Sequence, residues 1–335
     1  MNHDRMMGMV GEALSVPQAR PARRRSQGLL PIARLLPKKV AYVLAGGGAH
    51  GSVQWGSLQA VSETDLSPSD IVGTSAGALT GVIIAEDPLS AVNRLAYVWN
   101  QLQLTTVIGD SWLSMIRSAA RGASSLAEAQ GEREALHTIL QARTFAELDL
   151  PFAAVATDLA TGMAHSFTEG DLIEPLMASS AIPGILPPVT VNGRVYVDGL
   201  VSANLPATLA VERGAEALVV FDTGSRPLPE LSTSPTKVVA RVSSLLSKAQ
   251  RRQQLLAAAT DVPVLLLPTP RDLGRSLDFS GTNQAAANAY EYGRQFLADL
   301  ARKRRPLAPG LYGRAADLEF AAGKSQTMVV DSHAE

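Results

Sequence analysis

The residues best placed by type and spacing to do chemistry are Gly73-Thr74-Ser75-Ala76-Gly77. The apolar pair Ile71-Val72 precedes them, and the helix-compatible run from Ala78 to Ala85 follows. Strand, tight turn and helix in that order make a nucleophile elbow, whose serine is flanked by residues that must lack side chains. Its hydroxyl projects from the tip of a sheet at a helix N-terminus, where developing negative charge is favoured. The five-residue pattern is common in turns, so its context is what points to a nucleophile.

A second cluster, Gly46-Gly47-Gly48-Ala49-His50-Gly51, ends the buried-strand run Val40 to Ala45. Successive glycines let backbone N–H groups approach a ligand closely. Gly46, Gly48 and Gly51 fit the dinucleotide spacing Gly-x-Gly-x-x-Gly, but no acidic residue closes a second strand at the expected distance. A phosphate loop would need a lysine before Ser52, where Gly51 stands. An oxyanion hole serving Ser75 explains both clusters with one site.

A serine nucleophile needs a base. His3 and His333 fall in terminal segments, His137 lies in the charged helical stretch from Glu132, and His165 alternates with Ala164 and Ser166 as in a strand. His50, within the glycine loop, is the histidine that could approach Ser75. A carboxylate acting directly is the alternative, and Asp158, Asp198 and Asp222 each close a strand-like run. Catalytic groups collect at the carboxyl ends of strands in open α/β sheets, although Asp there often merely caps a turn.

Four blocks together resemble the patatin-like phospholipase family. They are the loop Gly46 to Gly51, the elbow Gly73 to Gly77, the Asp198-Gly199-Leu200 step, and Ala178 to Pro188; Asn204-Leu205-Pro206 is similar too. The similarity runs from about residue 39 to 305. It implies a dyad of Ser75 as nucleophile and Asp198 as base, and an oxyanion hole at Gly46, Gly47 and Gly48. Gly51, His50, Gly73, Gly77 and Gly199 would support them, and no metal or cofactor is required. It implies cleavage of lipid carboxylic esters through an acyl-enzyme, with phospholipase, lysophospholipase and esterase all open. A non-catalytic lipid- or acyl-binding protein, or an acyltransferase with an alcohol acceptor, are the alternatives on the same fold. Two residues depart from the family pattern. His50 stands where the loop has a basic residue and is mostly neutral near pH 7. Leu200 stands where a second glycine is usual, and a leucine does not readily take a positive φ.

The elements around these motifs alternate. Helical patterns are expected at 76–85, 89–104, 132–142, 171–180, 204–213, 235–258 and 284–303, and strands near 152–157, 189–197, 217–222 and 262–267. Such alternation predicts a mainly parallel central sheet sandwiched by helices, a three-layer α/β/α fold. Residues 39–305 are expected to form the hydrolase domain. Asp110 to Ala129 reads either as a mobile apolar lid or as a packed helix. Residues 306–335 read as a tail.

Composition sets limits. Of 335 residues, 46% are apolar and 18% charged, which suits a large core, and the absence of cysteine excludes disulfides and thiolate chemistry. A cytoplasmic protein is expected. The uncharged stretches Val40 to Ser62 and Pro175 to Gly193 carry too many glycines or prolines to read as membrane spans. The net charge of −1 hides a basic start: Arg5, Arg20, Arg23, Arg24, Arg25, Arg34, Lys38 and Lys39 face only Asp4 and Glu12. Residues 1–38 are therefore expected to be a disordered basic arm, suited to peripheral contact with an anionic membrane. Nucleic acid is not an expected partner, since neither aromatic interleaving nor a recognition motif accompanies the charge.

Overall fold

The computed structural model describes residues 28–108, 125–224, 233–271, 273, 279 and 281–322. Among these, nine strands form one sheet: β1 (Val40–Leu44), β2 (Asp70–Thr74), β3 (Phe152–Asp158), β4 (Ala164–Phe167), β5 (Val189–Val191), β6 (Arg194–Asp198), β7 (Ala217–Phe221), β8 (Pro263–Leu266) and β9 (Gly310–Tyr312). β3, β2, β1, β7, β8 and β9 are neighbours in that order and all parallel. These parallel strands read as continuous apolar runs because both of their faces are covered.

The helices are α1 (Ser52–Val61), α2 (Ala76–Glu86), α3 (Ala91–Ile108), α4 (Ser125–Ile139), α5 (Ile173–Ser180), α6 (Ala207–Glu212), α7 (Pro235–Asp261), α8 (Thr282–Ala301) and α9 (Ala315–Ala322). Alternate strand residues divide the core in two. Tyr42, Leu44, Val219 and Phe221 join Leu58 of α1, Val82 of α2, Leu95 of α3 and Leu297 of α8 on one face. Ala41, Val43, Leu218 and Val220 join Ala210 of α6, Leu255 of α7 and Leu318 of α9 on the other. The result is the expected three-layer arrangement.

The register around β3 decides where the functional residues meet. β2 pairs with β3 only as far as Thr74↔Val155. β6 pairs antiparallel with the following residues, from Ala156↔Asp198 to Asp158↔Tyr196. β4 pairs with Ala154 to Thr157 and so occupies the other edge of β3. β2 and β6 therefore share one edge of β3 and run head to head, their carboxyl ends meeting at Ser75 and Asp198.

Three expectations are corrected. The strand expected over 189–197 is a hairpin, β5 and β6, folded at Asn192 (φ 50) and Gly193 (φ 77). Two left-handed residues are what a two-residue hairpin turn requires. The basic arm does not reach residue 38. Ile32 and Leu35 are fully buried, Asp65 Oδ1 accepts from the Ile32 and Ala33 N–H groups, and Arg34 donates to the Ala301 and Lys303 carbonyls. The region after 305 is not a loose tail as far as residue 322. It supplies β9 as a sheet edge and α9, whose Leu318 is fully buried. The earlier part of the arm lies outside the described residues, as does most of the Asp110 to Ala129 segment; its last residues begin α4.

Candidate active site

β2 passes directly into α2 through Ser75, whose backbone has φ 54 and ψ −125. A non-glycine residue held there costs roughly 1–3 kcal/mol and needs a surrounding frame that enforces it. Here the frame is close packing. A Cβ at Gly73 would stand 2.4 Å from the Gly77 carbonyl oxygen, and one at Gly77 would stand 2.3 Å from that of Leu44. The missing side chain at Gly73 lets the turn close on itself, and that at Gly77 lets it approach β1. The Ser75 carbonyl accepts from Ala78 N (2.8 Å) and Leu79 N (3.1 Å), starting the helix. Its N–H donates to Ser179 Oγ (2.9 Å), and that hydroxyl donates to the Val155 carbonyl (2.7 Å). Ser179 of α5 thus pins the elbow to β3.

Ser75 Oγ donates to Asp198 Oδ2 at 2.7 Å. The other carboxylate oxygen, Oδ1, accepts from Leu200 N (2.7 Å), while Thr157 Oγ1 donates to the Asp198 carbonyl (2.9 Å) and Asp198 N donates to the Ala181 carbonyl (2.9 Å). Asp198 is fully buried and Ser75 is 6% exposed, so bulk water barely competes for this hydrogen bond. Leu200 fits without strain: Gly199–Val201 is a right-handed 3-10 turn, and Leu200 is not among the positive-φ residues. Gly199 is where the glycine is needed, since a Cβ there would meet the Val155 carbonyl oxygen at 2.5 Å and Thr74 Cγ2 at 2.7 Å.

The glycine loop closes a third side. A Cβ at Gly46 would lie 3.2 Å from Ser75 Cβ. Gly46 N donates to the Asn204 carbonyl (2.9 Å), and the Gly46 carbonyl accepts from Thr223 Oγ1 (2.8 Å). Gln54 reaches from α1 to the Ala45 and Phe221 carbonyls (2.7 and 3.0 Å). Gly48 has φ 60 and opens a 3-10 turn, Gly48–Gly51, that leads into α1. His50 is buried in that turn, with its N–H donating to the Gly47 carbonyl (3.3 Å). Gly51 lies under Trp99 and Ala76; a Cβ there would be 3.0 and 3.2 Å from them.

The other candidate bases are engaged elsewhere. Asp158 Oδ1 accepts from Ala160 N and Thr161 N, and its Oδ2 accepts from Arg194 (3.1 Å), so it closes a turn. Asp222 forms a buried ion pair with Arg251 of α7. His137 is exposed on α4, and His165 packs against Phe167 and Tyr196 on β4. His3 and His333 lie outside the described residues.

Two contributors escape sequence reasoning. Ser179 lies unremarked within the Ala178 to Pro188 block, although a serine pair closing an apolar helix is a legible signal. Glu132 reads as one of a run of surface charges. Instead α4 buries it beside α5. Burial pushes its carboxyl up to about 7; a hydrogen bond from Ser180 opposes this and the charge of Asp198 adds to it.

The chain matches the family model described as patatin-like phospholipase over residues 42–211. It belongs to the patatin-like phospholipase family. It is similar to patatin-like phospholipase domain-containing protein 7 of Mus musculus, 28% identical over 290 residues, which are 78% of this chain and 21% of that protein. The neuropathy target esterase sws of Drosophila melanogaster is 23% identical over 295 residues, covering 81% of this chain and 20% of its own. An uncharacterized NTE family protein of Mycobacterium bovis is 30% identical over 198 residues, with coverage of 59% and 52%. The chain thus spans about a fifth of the length of the animal relatives it matches.

Proposed function

We propose that this protein is a serine acyl hydrolase that cleaves carboxylic esters of lipids, with Ser75 as nucleophile and Asp198 as base. The observation that carries this is the buried 2.7 Å hydrogen bond from Ser75 Oγ to Asp198 Oδ2, at the head of a strained elbow. Membership of the family supports lipid esters as the substrate class.

Asp198 Oδ2 takes the Ser75 proton as Oγ attacks the ester carbonyl carbon. The carbonyl oxygen becomes an oxyanion against the glycine loop. Because Gly46 N–H is held by Asn204, the loop donors assigned to it are those of Gly47 and Gly48. Collapse breaks the ester C–O bond, and the departing alcohol takes the proton back from Asp198. Asp198 then takes a proton from water as its oxygen attacks the acyl-enzyme, and release of the carboxylic acid returns the proton to Ser75 Oγ. The Leu200 N–H holds the carboxylate in one orientation through both half-reactions.

The test is a panel of p-nitrophenyl esters and phospholipids with wild type, Ser75→Ala and Asp198→Asn. Each variant should lower kcat by about 10³-fold or more with an unchanged fold. Labelling of Ser75 by a fluorophosphonate is expected, and its absence in a folded protein would favour a lipid-binding role. Acyl esters of added glycerol among the products would favour transfer over hydrolysis. Near-normal turnover in Asp198→Asn together with its loss in His50→Ala would replace the carboxylate base by a histidine.

A further inference from the structure

The peptide that joins Gly46 to Gly47 has a glycine on each side. Its plane turns about Gly46 ψ and Gly47 φ, and no side chain on either residue resists that turn. Hydrogen bonds must fix it instead. The Gly46 carbonyl accepts from Thr223 Oγ1 at 2.8 Å. Asn204 Nδ2 also reaches that carbonyl, but at 3.5 Å, too long to hold it firmly. Gly46 is buried and Thr223 is 5% exposed, so bulk water does not stand in for the hydroxyl.

The two ends of this peptide point to opposite neighbours, because C=O and N–H are antiparallel in a trans peptide. β1 lies between β2 and β7, with Leu44 level with Gly73 on one side and with Phe221 on the other. The loop after β1 therefore has Ser75, which follows β2, on one flank and Thr223, which follows β7, on the other. A Cβ at Gly46 would stand 3.2 Å from Ser75 Cβ, and one at Gly47 would stand 2.5 Å from Thr223 Cβ. Thr223 draws the Gly46 carbonyl toward the β7 flank, and this turns Gly47 N–H toward the flank of Ser75. No acceptor among the described residues takes Gly47 N–H.

Thr223 is held in turn. It follows Asp222, which pairs with Arg251, and Phe221, whose carbonyl accepts from Ala45 N (3.1 Å) and Gln54 Nε2 (3.0 Å). The end of β7 and the start of the glycine loop are thus bonded together just before Thr223 and Gly46 meet. A branched Cβ restricts χ1, so the hydroxyl has few other places to go. The neighbouring donor needs no side chain. The Gly47 carbonyl accepts from His50 N (3.3 Å) as Gly48 opens its 3-10 turn, so backbone alone orients Gly48 N–H.

We propose that Thr223 is a positioning residue of the oxyanion hole. By holding the Gly46 carbonyl, its hydroxyl aims Gly47 N–H at the ester oxygen that gains charge in the transition state. This role rests on the reading of Ser75 as an acyl-hydrolase nucleophile. Its effect falls on charge that exists only in the transition state, so turnover should depend on the hydroxyl and substrate binding should not.

The test uses the full chain. Thr223→Val removes the hydroxyl and nearly keeps the side chain's shape. It should lower kcat on a soluble p-nitrophenyl ester by about tenfold or more, with KM within about twofold of wild type. Thr223→Ser, which keeps the hydroxyl, should return kcat to within about threefold. An alkyl trifluoromethyl ketone reads the oxyanion directly. Ser75 Oγ adds to its carbonyl carbon, Asp198 takes the hydroxyl proton, and the carbonyl oxygen becomes the hemiketal alkoxide. In Thr223→Val its Ki should rise by the factor by which kcat/KM falls. The Ki of the same ketone without fluorine, a ground-state mimic, should stay within about twofold.

An active wild type whose Thr223→Val variant keeps full kcat would overturn the role of Thr223 and leave the hydrolase reading standing. So would an equal rise in Ki for both ketones, the mark of plain packing. A wild type that is inactive and binds both ketones alike would overturn the hydrolase reading, and the role of Thr223 with it. If Thr223→Val loses the fold, Thr223→Ser and Thr223→Ala decide, since they differ by the hydroxyl alone. A gap of about fivefold or more in kcat between them supports the role, and equal kcat overturns it.

Discussion

Ser75 and Asp198 meet because a few neighbours leave them little choice. The Ser75 N–H has Ser179 Oγ as its acceptor in a buried site. Ser179→Ala removes that acceptor and leaves a donor that water does not reach, worth about 1–3 kcal/mol. The strained elbow should relax, lowering kcat by about tenfold or more with KM little changed. An unaffected kcat in steady-state kinetics would mean that the glycine packing alone holds the elbow. Glu132 predicts a pH dependence of stability. Burial, then the Asp198 charge, holds its carboxyl at about 7 in the native state against an ordinary 4.5. Below 4.5 both native and unfolded chains carry the proton and there is no penalty. As pH climbs from 4.5 to 7 the unfolded chain releases it while the native chain keeps it, so this residue's contribution to stability falls; above 7 the loss is complete. Glu132→Gln should therefore raise Tm relative to wild type above pH 7 and give little difference below pH 4.5. Melting curves that stay parallel across that range would exclude Glu132 as the cause.

At the scale of elements, a buried ion pair ties the end of a strand to a helix. Asp222 closes β7, Arg251 lies within α7, and both are buried. Asp222→Asn takes one counter-charge from a buried guanidinium, which should cost about 3–5 kcal/mol in chemical denaturation. Replacing both residues with apolar ones of similar size, Asp222→Leu with Arg251→Met, should recover most of that loss. Failure of the double variant to recover it would mean that the pair's geometry, and not charge neutralisation, seats α7. A second joint depends on the absence of side chains. Gly56 of α1 lies so close to α8 that a Cβ would stand 1.9 Å from the Ala286 carbonyl oxygen. Gly293 of α8 opposes Ala60 of α1 in the same way, at 3.0 Å.

For the whole molecule, the ends of the folded unit are set by burial. Deleting residues 1–27 keeps the buried side chains of Ile32 and Leu35 and the Arg34 bonds, and is the reference for two shorter chains. Deleting residues 1–37 also removes Ile32, Leu35 and the Arg34 bonds to the end of α8. Two such fully buried side chains are worth about 1.5–3 kcal/mol each, so Tm should fall by several degrees. Ending the chain at 305 removes β9 and α9, uncovers the β8 edge and strips Leu318 from the core. That variant should be the least stable of the three and the most prone to aggregate. Equal melting temperatures for all three would contradict the described packing of both ends.

The sequence by itself determined the parts whose causes are local. The elbow, the glycine loop, the parallel strands and most helices were legible because a turn, an apolar run or a helical period declares itself within a few residues. The pairing of Ser75 with Asp198 was legible only through family resemblance, since spacing alone left Asp158, Asp222 and His50 in contention. The tertiary structure brings Asp198 within a hydrogen bond of Ser75 Oγ. Asp222 met Arg251, Asp158 closed a turn, and the shared edge of β3 brought the ends of β2 and β6 together. It also decided that Glu132 is buried, that Ser179 holds the elbow, and that residues 28–38 and 306–322 belong to the fold. The physical reason is common to all of these. Register and burial are set by what stands opposite a residue, and that partner comes from a part of the chain whose distance no local pattern encodes.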